Sequence, residues 1–406
     1  MTARKNRNPT WLLCILLAAG ALVLGGLGMW QYLRAVPPLH PDPQQVPSVT
    51  ETRPSPAWVA AAERARQLAR AEISEQNLPA LSVAVGVAGQ IVWAEGFGWA
   101  NIEQRVPVTR GLRFRIGHTS KTLTSAAVGL LREQGRLHLD DEIQTYVPGY
   151  PRKAWPVTLR QLMGHVGGVR HYLGEEADVP TGHCERASDG VANVAGDPLL
   201  FQPGTQYRYS TYGWVLVSAA VEAAAREPFF TFMRTHIFAP LDMTDTRFDG
   251  ANESAAGRAT MYFPRFSGDN SFGHEVARAA DYSCFAGAGA VLSTPSDLVR
   301  FGIAMNSGTL LQPDTVRLLQ TPQALASGQA TAYGLGWMLE TMALAGAETR
   351  EAGHASRSLL GASTSFMTFP ERGIVVAVTS NTSYANTRSI AIGMAQAFAG
   401  VAQGAR

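Results

Sequence analysis

A histidine and a lysine three residues apart, His118 and Lys121, have types and a spacing that could support catalysis. They lie at the start of a segment, 119–134, whose apolar residues follow helical spacing and which ends at Gly135. On a helix, residues three apart share a face, one turn apart. An imidazole can attack an acyl group or take a proton, and a lysine whose pKa is lowered by burial beside another cation can act as a base. The spacing therefore predicts a reactive pair at the start of a helix.

Further motifs follow this pair along the chain. The segment Phe114-Arg115-Ile116-Gly117-His118-Thr119-Ser120-Lys121 resembles the S-x-x-K motif of serine β-lactamase-like and penicillin-binding-protein-like hydrolases. The segments 159–169, 209–213, 287–301, 333–337 and 353–356 follow in that family's order, so that the resemblance covers about 57–400. Arg170-His171-Tyr172 and Tyr209-Ser210-Thr211 are most similar to the mitochondrial serine β-lactamase-like branch and its bacterial relatives.

The resemblance implies a role for each motif residue. It makes Lys121 the base, Tyr209 a proton relay, and His354 the Lys/His position of the third motif, whose strand offers a backbone N–H to an oxyanion. Thr211 replaces the usual Asn of the second motif, and Ser356 stands where glycine is usual, so both are expected to line the substrate site. The family's chemistry uses a covalent acyl intermediate and no cofactor.

The nucleophile position departs from the family, because it holds His118 where the motif has serine. Ser120 is not expected to replace it, since side chains two residues apart on a helix point about 200° from each other. Three interpretations stay open beside a plain packing role: a pseudoenzyme that binds a ligand or partner, a hydrolase whose nucleophile is His118, and another chemistry with His118 as general base.

The sequence also contains a patch of possible metal ligands: His165, His171, His183 and Cys184. Their spacing matches no short zinc motif, and His165 belongs to the family's own turn, so no metal is expected. Cys184 and Cys284 could pair in an oxidising compartment, or remain as two buried thiols.

The N-terminal part of the chain has the pattern of a membrane anchor. Residues 11–30 are uncharged and long enough to span a bilayer, and they follow a basic tail, 1–10, that is expected to stay in the cytosol. A cleaved secretory signal is the alternative. Seven prolines fall within residues 37–56, which predicts that 31–56 is an extended spacer before a globular domain at 57–406. Either reading exports that domain to the periplasm or the cell surface.

The pattern of the globular part predicts an α+β fold. We expect a helix at 57–76, a hairpin of strands 81–87 and 91–98, strands at 363–369 and 374–379, and a final helix at about 388–399. Strands at both chain ends predict an antiparallel sheet flanked by helices, with a mainly helical subdomain at about 140–300. This is the β-lactamase/penicillin-binding-protein-like architecture that the resemblance implies.

The overall charge excludes one class of binding partner. With 34 basic and 32 acidic residues, the net charge is +2, and no basic run interleaved with aromatics is present, which excludes nucleic-acid binding by bulk charge. The expected function is hydrolysis of amide or ester acyl groups of a small molecule or a cell-wall-like peptide. The alternative is an inactive extracytoplasmic binding or scaffolding module.

Overall fold

The computed structural model describes residues 10–172, 182–250, 257–266, 269–358 and 361–404. Its helices are α1 Thr10–Leu33, α2 Val59–Glu75, α3 Ser120–Glu133, α4 Leu159–Met163, α5 Ala192–Ala195, α6 Thr211–Ala225, α7 Phe229–Phe232, α8 Pro295–Ser307, α9 Pro313–Leu319 and α10 Thr387–Gly404. Its strands are β1 Ser48–Thr52, β2 Ala80–Val87, β3 Gln90–Asn101, β4 Val106–Pro107, β5 Phe114–Arg115, β6 Arg247–Phe248, β7 Tyr262–Phe266, β8 Asp269–Val276, β9 Val291–Ser293, β10 Met338–Leu344, β11 Ala347–Ser358, β12 Ala362–Phe369 and β13 Ile374–Ser380.

One antiparallel sheet, in the order β1-β3-β2-β13-β12-β11-β10, joins the two ends of the globular part, and β4 pairs with β3 beside it. The pairing of β2 with β13 joins the N-terminal and C-terminal strands of this sheet, with Ala84 opposite Ala377. The predicted α+β class with an antiparallel sheet from both chain ends is confirmed. The hairpin of β2 and β3 and the pair of β12 and β13 lie where the alternating apolar residues predicted them.

Helices cover both faces of this sheet. Val376 and Val378 pack in one apolar cluster with residues of α2 and α10. Their neighbours Val375 and Ala377 pack in a second cluster with residues of α3, α6 and α8. Because successive side chains of a strand point to opposite faces, every residue of β13 is buried. The sheet is therefore the rigid layer on which the other elements rest.

Helices α3 to α9 and strands β6 to β9 lie between β5 and β10, and the strands β5 to β9 make two small sheets. In the three-stranded sheet β5-β9-β6, the strand β9 pairs with both of its neighbours through Leu292, which faces Arg115 and Arg247. The strands β7 and β8 form a separate hairpin. The small sheet matters for the site because β5 ends at Arg115, three residues before His118.

The proline-rich segment is not the free spacer that the sequence predicted. Its residues 48–52 form β1 at the edge of the main sheet, with Ser48 opposite Phe97 and Thr50 opposite Glu95. Val46 is buried, and the backbone N–H of Leu39 donates to Asn77 Oδ1 at 2.8 Å. The prolines fall outside these five residues, and an edge strand leaves one row of backbone groups unpaired, so the composition did not prevent strand formation.

The N-terminal helix α1 includes the predicted span, 11–30. By its length and composition, the segment Leu13–Leu33 could cross a membrane, and its residues are exposed. At its end, Tyr32 donates a hydrogen bond to Glu275 Oε1 at 3.2 Å, and the N–H of Val36 donates to the Ser271 carbonyl at 2.9 Å. The hairpin of β7 and β8 thus contacts the end of α1.

Cys184 and Cys284 form a disulfide between segments 100 residues apart. The sequence left open a disulfide or two buried thiols, and the structure contains the disulfide. Both cysteines are buried, and the backbone N–H of Cys184 also donates to Ser283 Oγ at 2.9 Å.

Candidate active site

His118 and Lys121 lie where β5 passes into α3. A short 3-10 turn, Gly117–Thr119, joins the two elements, and Gly117 takes a positive φ of 50° there. His118 is partly exposed in this turn, whereas Lys121 in the first turn of α3 is buried. Ser120 is also buried, and its hydroxyl donates to the Gly117 carbonyl at 2.6 Å. Its hydroxyl is therefore held by the backbone of its own turn.

The N-terminus of α6 brings the second motif to the same place. Ser210 caps this helix by accepting a hydrogen bond from the Gly213 N–H at 2.9 Å. The N–H groups of Ser210 and Thr211 donate to His165 Nδ1 and His171 Nδ1, each at 3.1 Å. These two histidines therefore hold the backbone of the second motif, a role that the sequence analysis did not assign to them.

Thr211 lies between His118 and Lys121. Its Oγ1 is 3.1 Å from His118 Nε2 and accepts a hydrogen bond from Lys121 Nζ at 3.5 Å. The lysine also donates to the Ala288 carbonyl at 3.1 Å, and its Nζ lies 4.9 Å from the centre of the Tyr209 ring. A hydroxyl thus bridges an imidazole and an amine inside the protein.

Two further groups contact His118. The Tyr172 hydroxyl is 3.4 Å from His118 Nε2. The backbone N–H of His118 donates to Ser356 Oγ at 3.1 Å. The second contact gives the backbone N–H of His118 a partner inside the protein. Within the described ranges, no hydrogen bond to His118 Nδ1 is present.

His354 on β11 is fixed by two hydrogen bonds. Its Nδ1 is 2.9 Å from the Ala355 carbonyl, and its Nε2 is 3.1 Å from the Tyr333 hydroxyl. A carbonyl can only accept, so Nδ1 carries the proton and Nε2 accepts from Tyr333. Tyr333 belongs to a motif that the sequence analysis quoted, but its contact with His354 could not be read from spacing, because the two residues meet through tertiary packing.

Burial decides the electrostatics of this cluster. It lowers the pKa of Lys121 well below its usual value. Loss of solvent around the ring of the partly exposed His118 and of the buried His165 lowers the pKa of both well below 6.5, and a positive charge on Lys121 would lower it further. The same two causes lower the pKa of His171 to about 4 and that of His354 to about 3. The environment therefore favours the neutral forms of the lysine and of all four histidines.

Tyr209 stands among these groups with its hydroxyl unused. The ring is 5.5 Å from that of His118 and 4.2 Å from that of His165, measured between centroids. Its hydroxyl is buried, and no partner for it is found in the part of the chain that the structure describes. Burial raises the pKa of Tyr209 well above 10, so the hydroxyl keeps its proton and can donate it to a bound group.

A cavity of about 410 Å³ adjoins the cluster. Tyr207, Tyr209 and Tyr333 form one side of it, and Thr331 and Glu340 lie among its other lining residues. The size falls within the range of small-molecule sites. Tyr209 thus lies between the reactive pair and a space that a ligand can fill, and Tyr333 connects the same space to His354.

The candidate metal ligands of the sequence have other partners in the structure. Cys184 is in the disulfide, and His183 pairs with Asp281 at 2.7 Å, with its Nδ1 to Oδ2. Across the described residues, no group of three or more His, Cys, Asp or Glu is arranged to hold a metal ion.

Comparison with known proteins gives the family. The sequence pattern of the family described as Beta-lactamase matches residues 65–400, which is most of the chain. The chain belongs to the β-lactamase family. Its relatives include the mitochondrial serine beta-lactamase-like protein LACTB of Mus musculus, 27% identical over 446 aligned positions that cover 83% of this chain and 80% of the relative.

Two solved structures show the same β-lactamase-family fold. The octameric penicillin-binding protein homologue from Pyrococcus abyssi superposes with a TM-score of 0.67 and 22% identity, over 82% of this chain and 76% of that one. The D-amino acid amidase from Ochrobactrum anthropi, complexed with D-phenylalanine, gives 0.70 and 21% identity, over 85% and 99%. The resemblance to β-lactamase-like and penicillin-binding-protein-like hydrolases is confirmed.

Within this β-lactamase-family cleft, the structure brings together every residue that the motifs singled out. His118, Lys121 and Thr211 are hydrogen-bonded in series. Ser356 contacts the backbone of His118, and the rings of Tyr209 and His354 are 6.3 Å apart. The motifs also contain His165, His171, Tyr172 and Tyr333, but they did not indicate that these side chains position the site residues.

Proposed function

We propose that this protein hydrolyses acyl groups of esters or amides, with His118 as the nucleophile in place of serine. The observation that carries the proposal is the path His118 Nε2 – Thr211 Oγ1 – Lys121 Nζ, with steps of 3.1 and 3.5 Å. It connects the residue at the nucleophile position to a buried lysine whose pKa burial lowers well below its usual value. A neutral amine at the end of a hydroxyl relay is a base for the imidazole.

The chemistry balances as follows. In the tautomer that carries the proton on Nε2, Nδ1 has a free lone pair and attacks the acyl carbon. The Nε2 proton passes to Thr211, and the hydroxyl proton of Thr211 passes to the lysine. The leaving group departs with the proton that Lys121 received, and an acyl-imidazole remains. Water then cleaves the bond between Nδ1 and the acyl carbon, which yields the carboxylic acid and restores His118.

In this scheme the Tyr209 hydroxyl donates a hydrogen bond to the departing group, while Lys121 supplies the proton. The Tyr209 ring centre lies 4.9 Å from Lys121 Nζ, and the hydroxyl holds its proton because burial raises its pKa well above 10. His354 accepts from Tyr333 and therefore orients a hydroxyl at the rim of the adjoining cavity. We infer that this cavity receives the acyl side chain of a small molecule or a cell-wall-like peptide.

The proposed place of this activity is outside the cytoplasm, at a membrane. The length and apolar composition of α1 support an anchor, and the disulfide between Cys184 and Cys284 supports an oxidising compartment, because such bonds are rare in the cytosol. The domain would then be in the periplasm or on the cell surface.

The experiment that tests the proposal is hydrolysis of p-nitrophenyl acetate by the purified full-length protein. We expect His118→Ala to reduce the rate to the uncatalysed background, and Thr211→Val, which removes the hydroxyl but keeps the shape, to reduce it by about 10²-fold, as for loss of general-base assistance. His138→Ala, at an exposed histidine, is the matched control and should keep the full rate. Equal rates for the parent, His118→Ala and the buffer would refute the proposal.

A second function is favoured by one specific contact, that of Ser356 Oγ with the backbone N–H of His118. This serine takes up an N–H that would otherwise hold an oxyanion, as expected for a pseudoenzyme that binds acyl compounds without turnover. In the same assay such a protein is inactive, binds penicillin reversibly with no covalent adduct in the intact mass, and gains activity on His118→Ser combined with Ser356→Gly. That result would replace the first function by the second.

A further inference from the structure

A second cavity, of about 550 Å³, lies beside the helical turn that follows α7. Phe238 and Met243 at this cavity are buried, and the rings of Phe230 and Phe248 contact each other with centroids 4.2 Å apart. Its lining shares no residue with that of the cavity beside Tyr209. The phenylalanines and Met243 thus give the cavity an apolar part, beside the hydroxyls of Thr244 and Thr246, and the cavity is separate from the site described above.

Two arginines give this cavity a positive charge. Arg234 and Arg247 both line it and are both exposed. Among the described residues, neither forms a salt bridge or a side-chain hydrogen bond, and the lining includes no aspartate or glutamate. Guanidinium groups pair with carboxylates and phosphates through parallel N–H bonds, so two such groups at one cavity, neither with a carboxylate partner, attract an anion.

The helix that builds the cavity has an unusual geometry. Residues Met233–Phe238 form a π-helical turn, and this turn supplies Arg234 and Phe238 to the lining of the cavity. A π-turn inserts one residue more than an α-helical turn and is frequent at functional sites. Here it allows one short segment to supply both a charged and an apolar side chain to the same space.

We propose that this cavity binds an amphiphilic carboxylate with a single hydrocarbon chain, such as a medium-chain fatty acid. The phenylalanines and Met243 receive the hydrocarbon chain, because burial of apolar surface is favourable. Arg234 and Arg247 bind the carboxylate at the opening. The volume lies within the range of about 300–1,000 Å³ for small-molecule sites. The ligand is bound without covalent change, and the site is independent of the function proposed for His118.

The test is equilibrium dialysis of radiolabelled dodecanoate against full-length protein in nanodiscs, with empty nanodiscs subtracted. We expect saturable binding at one site per chain, weakened at least tenfold in the double variant Arg234→Gln/Arg247→Gln. Arg132→Gln, at an exposed arginine on α3, is the matched control and should bind as the parent does. The double variant should retain the parent rate with p-nitrophenyl acetate, which separates this test from that of the hydrolase.

Two competitors define the ligand class. Dodecanol has the same chain without the anion, and it should displace dodecanoate only at tenfold or higher concentration; equal competition would overturn the role of the arginines. Dodecyl phosphate has a different anionic head, and tighter binding of it than of dodecanoate would overturn the carboxylate assignment. Absence of saturable dodecanoate binding would overturn the site itself.

Discussion

At the scale of single residues, the cleft depends on hydroxyl groups that connect nitrogen atoms. Thr211 connects His118 to Lys121, and Tyr333 donates to His354. An asparagine, the family's usual residue in place of Thr211, has an amide instead of a hydroxyl and cannot both accept and pass on a proton through one oxygen. Thr211 therefore allows a one-atom relay between His118 and Lys121 that an asparagine would not allow.

Buried neutral histidines make the stability of the protein depend on pH. Burial and Lys121 lower the pKa of His354 to about 3, whereas the unfolded chain protonates histidine near its ordinary value. Between these two values the unfolded state binds a proton that the folded state does not, so stability is present above about pH 6.5 and is lost as the pH falls towards 3. From pH 7 to pH 5, His354 alone contributes a loss of about 2 kcal/mol.

Urea denaturation at pH 7 and pH 5 measures this effect. The parent should be less stable at pH 5, and His354→Gln should reduce the difference between the two pH values by about 2 kcal/mol. His138→Gln, at an exposed histidine, provides the control and should show the parent's full pH dependence. A parent protein with equal stability at both pH values would contradict the burial of neutral histidines.

At the scale of secondary structure, the sequence predicted elements where the pattern is local. The hairpin of β2 and β3 and the helices α2, α3 and α10 follow from alternation and helical spacing. Short elements escaped prediction, because β1, β5 and β9 have five residues or fewer and are stabilised by partners far along the chain. The same limit applies to the site. Its motif residues were found by resemblance, whereas the contact of Tyr172 with His118 depends on tertiary packing.

The edge strand β1 is expected to contribute to the stability of the domain. It covers the edge of β3, and the segment before it buries Val46. Burial of one valine side chain accounts for roughly 2 kcal/mol, and an uncovered edge strand favours aggregation. A chain that starts at Ala57 should therefore have a free energy of unfolding at least about 2 kcal/mol lower than that of a chain that starts at Pro37. It should accordingly unfold at a lower urea concentration. Urea denaturation of the two forms checks this, and equal midpoints would show that β1 is dispensable.

At the scale of the whole molecule, the disulfide reports where the domain folds. Cys14 is the one free cysteine in the described residues, and Cys184 is bonded to Cys284. In cells lysed in denaturant with a maleimide–polyethylene glycol reagent, exported protein should gain one polymer chain without reductant and three after reduction. Cys184→Ser should gain two in both conditions. Three additions without reductant in the parent protein would place the domain in a reducing compartment and refute the proposed export.

The attachment of the proline-rich segment to the domain has a consequence for how substrates are met. A flexible chain as long as residues 34–56 would let the domain wander by about 25 Å from its anchor. Here the segment is held along its length, at Val36, at Leu39 and through β1. With α1 in a bilayer, the cleft would travel with the anchor at a nearly constant height and would search for substrate by lateral diffusion in two dimensions. Compounds that approach the membrane surface would then be met far more often than equally abundant ones held at a distance from it.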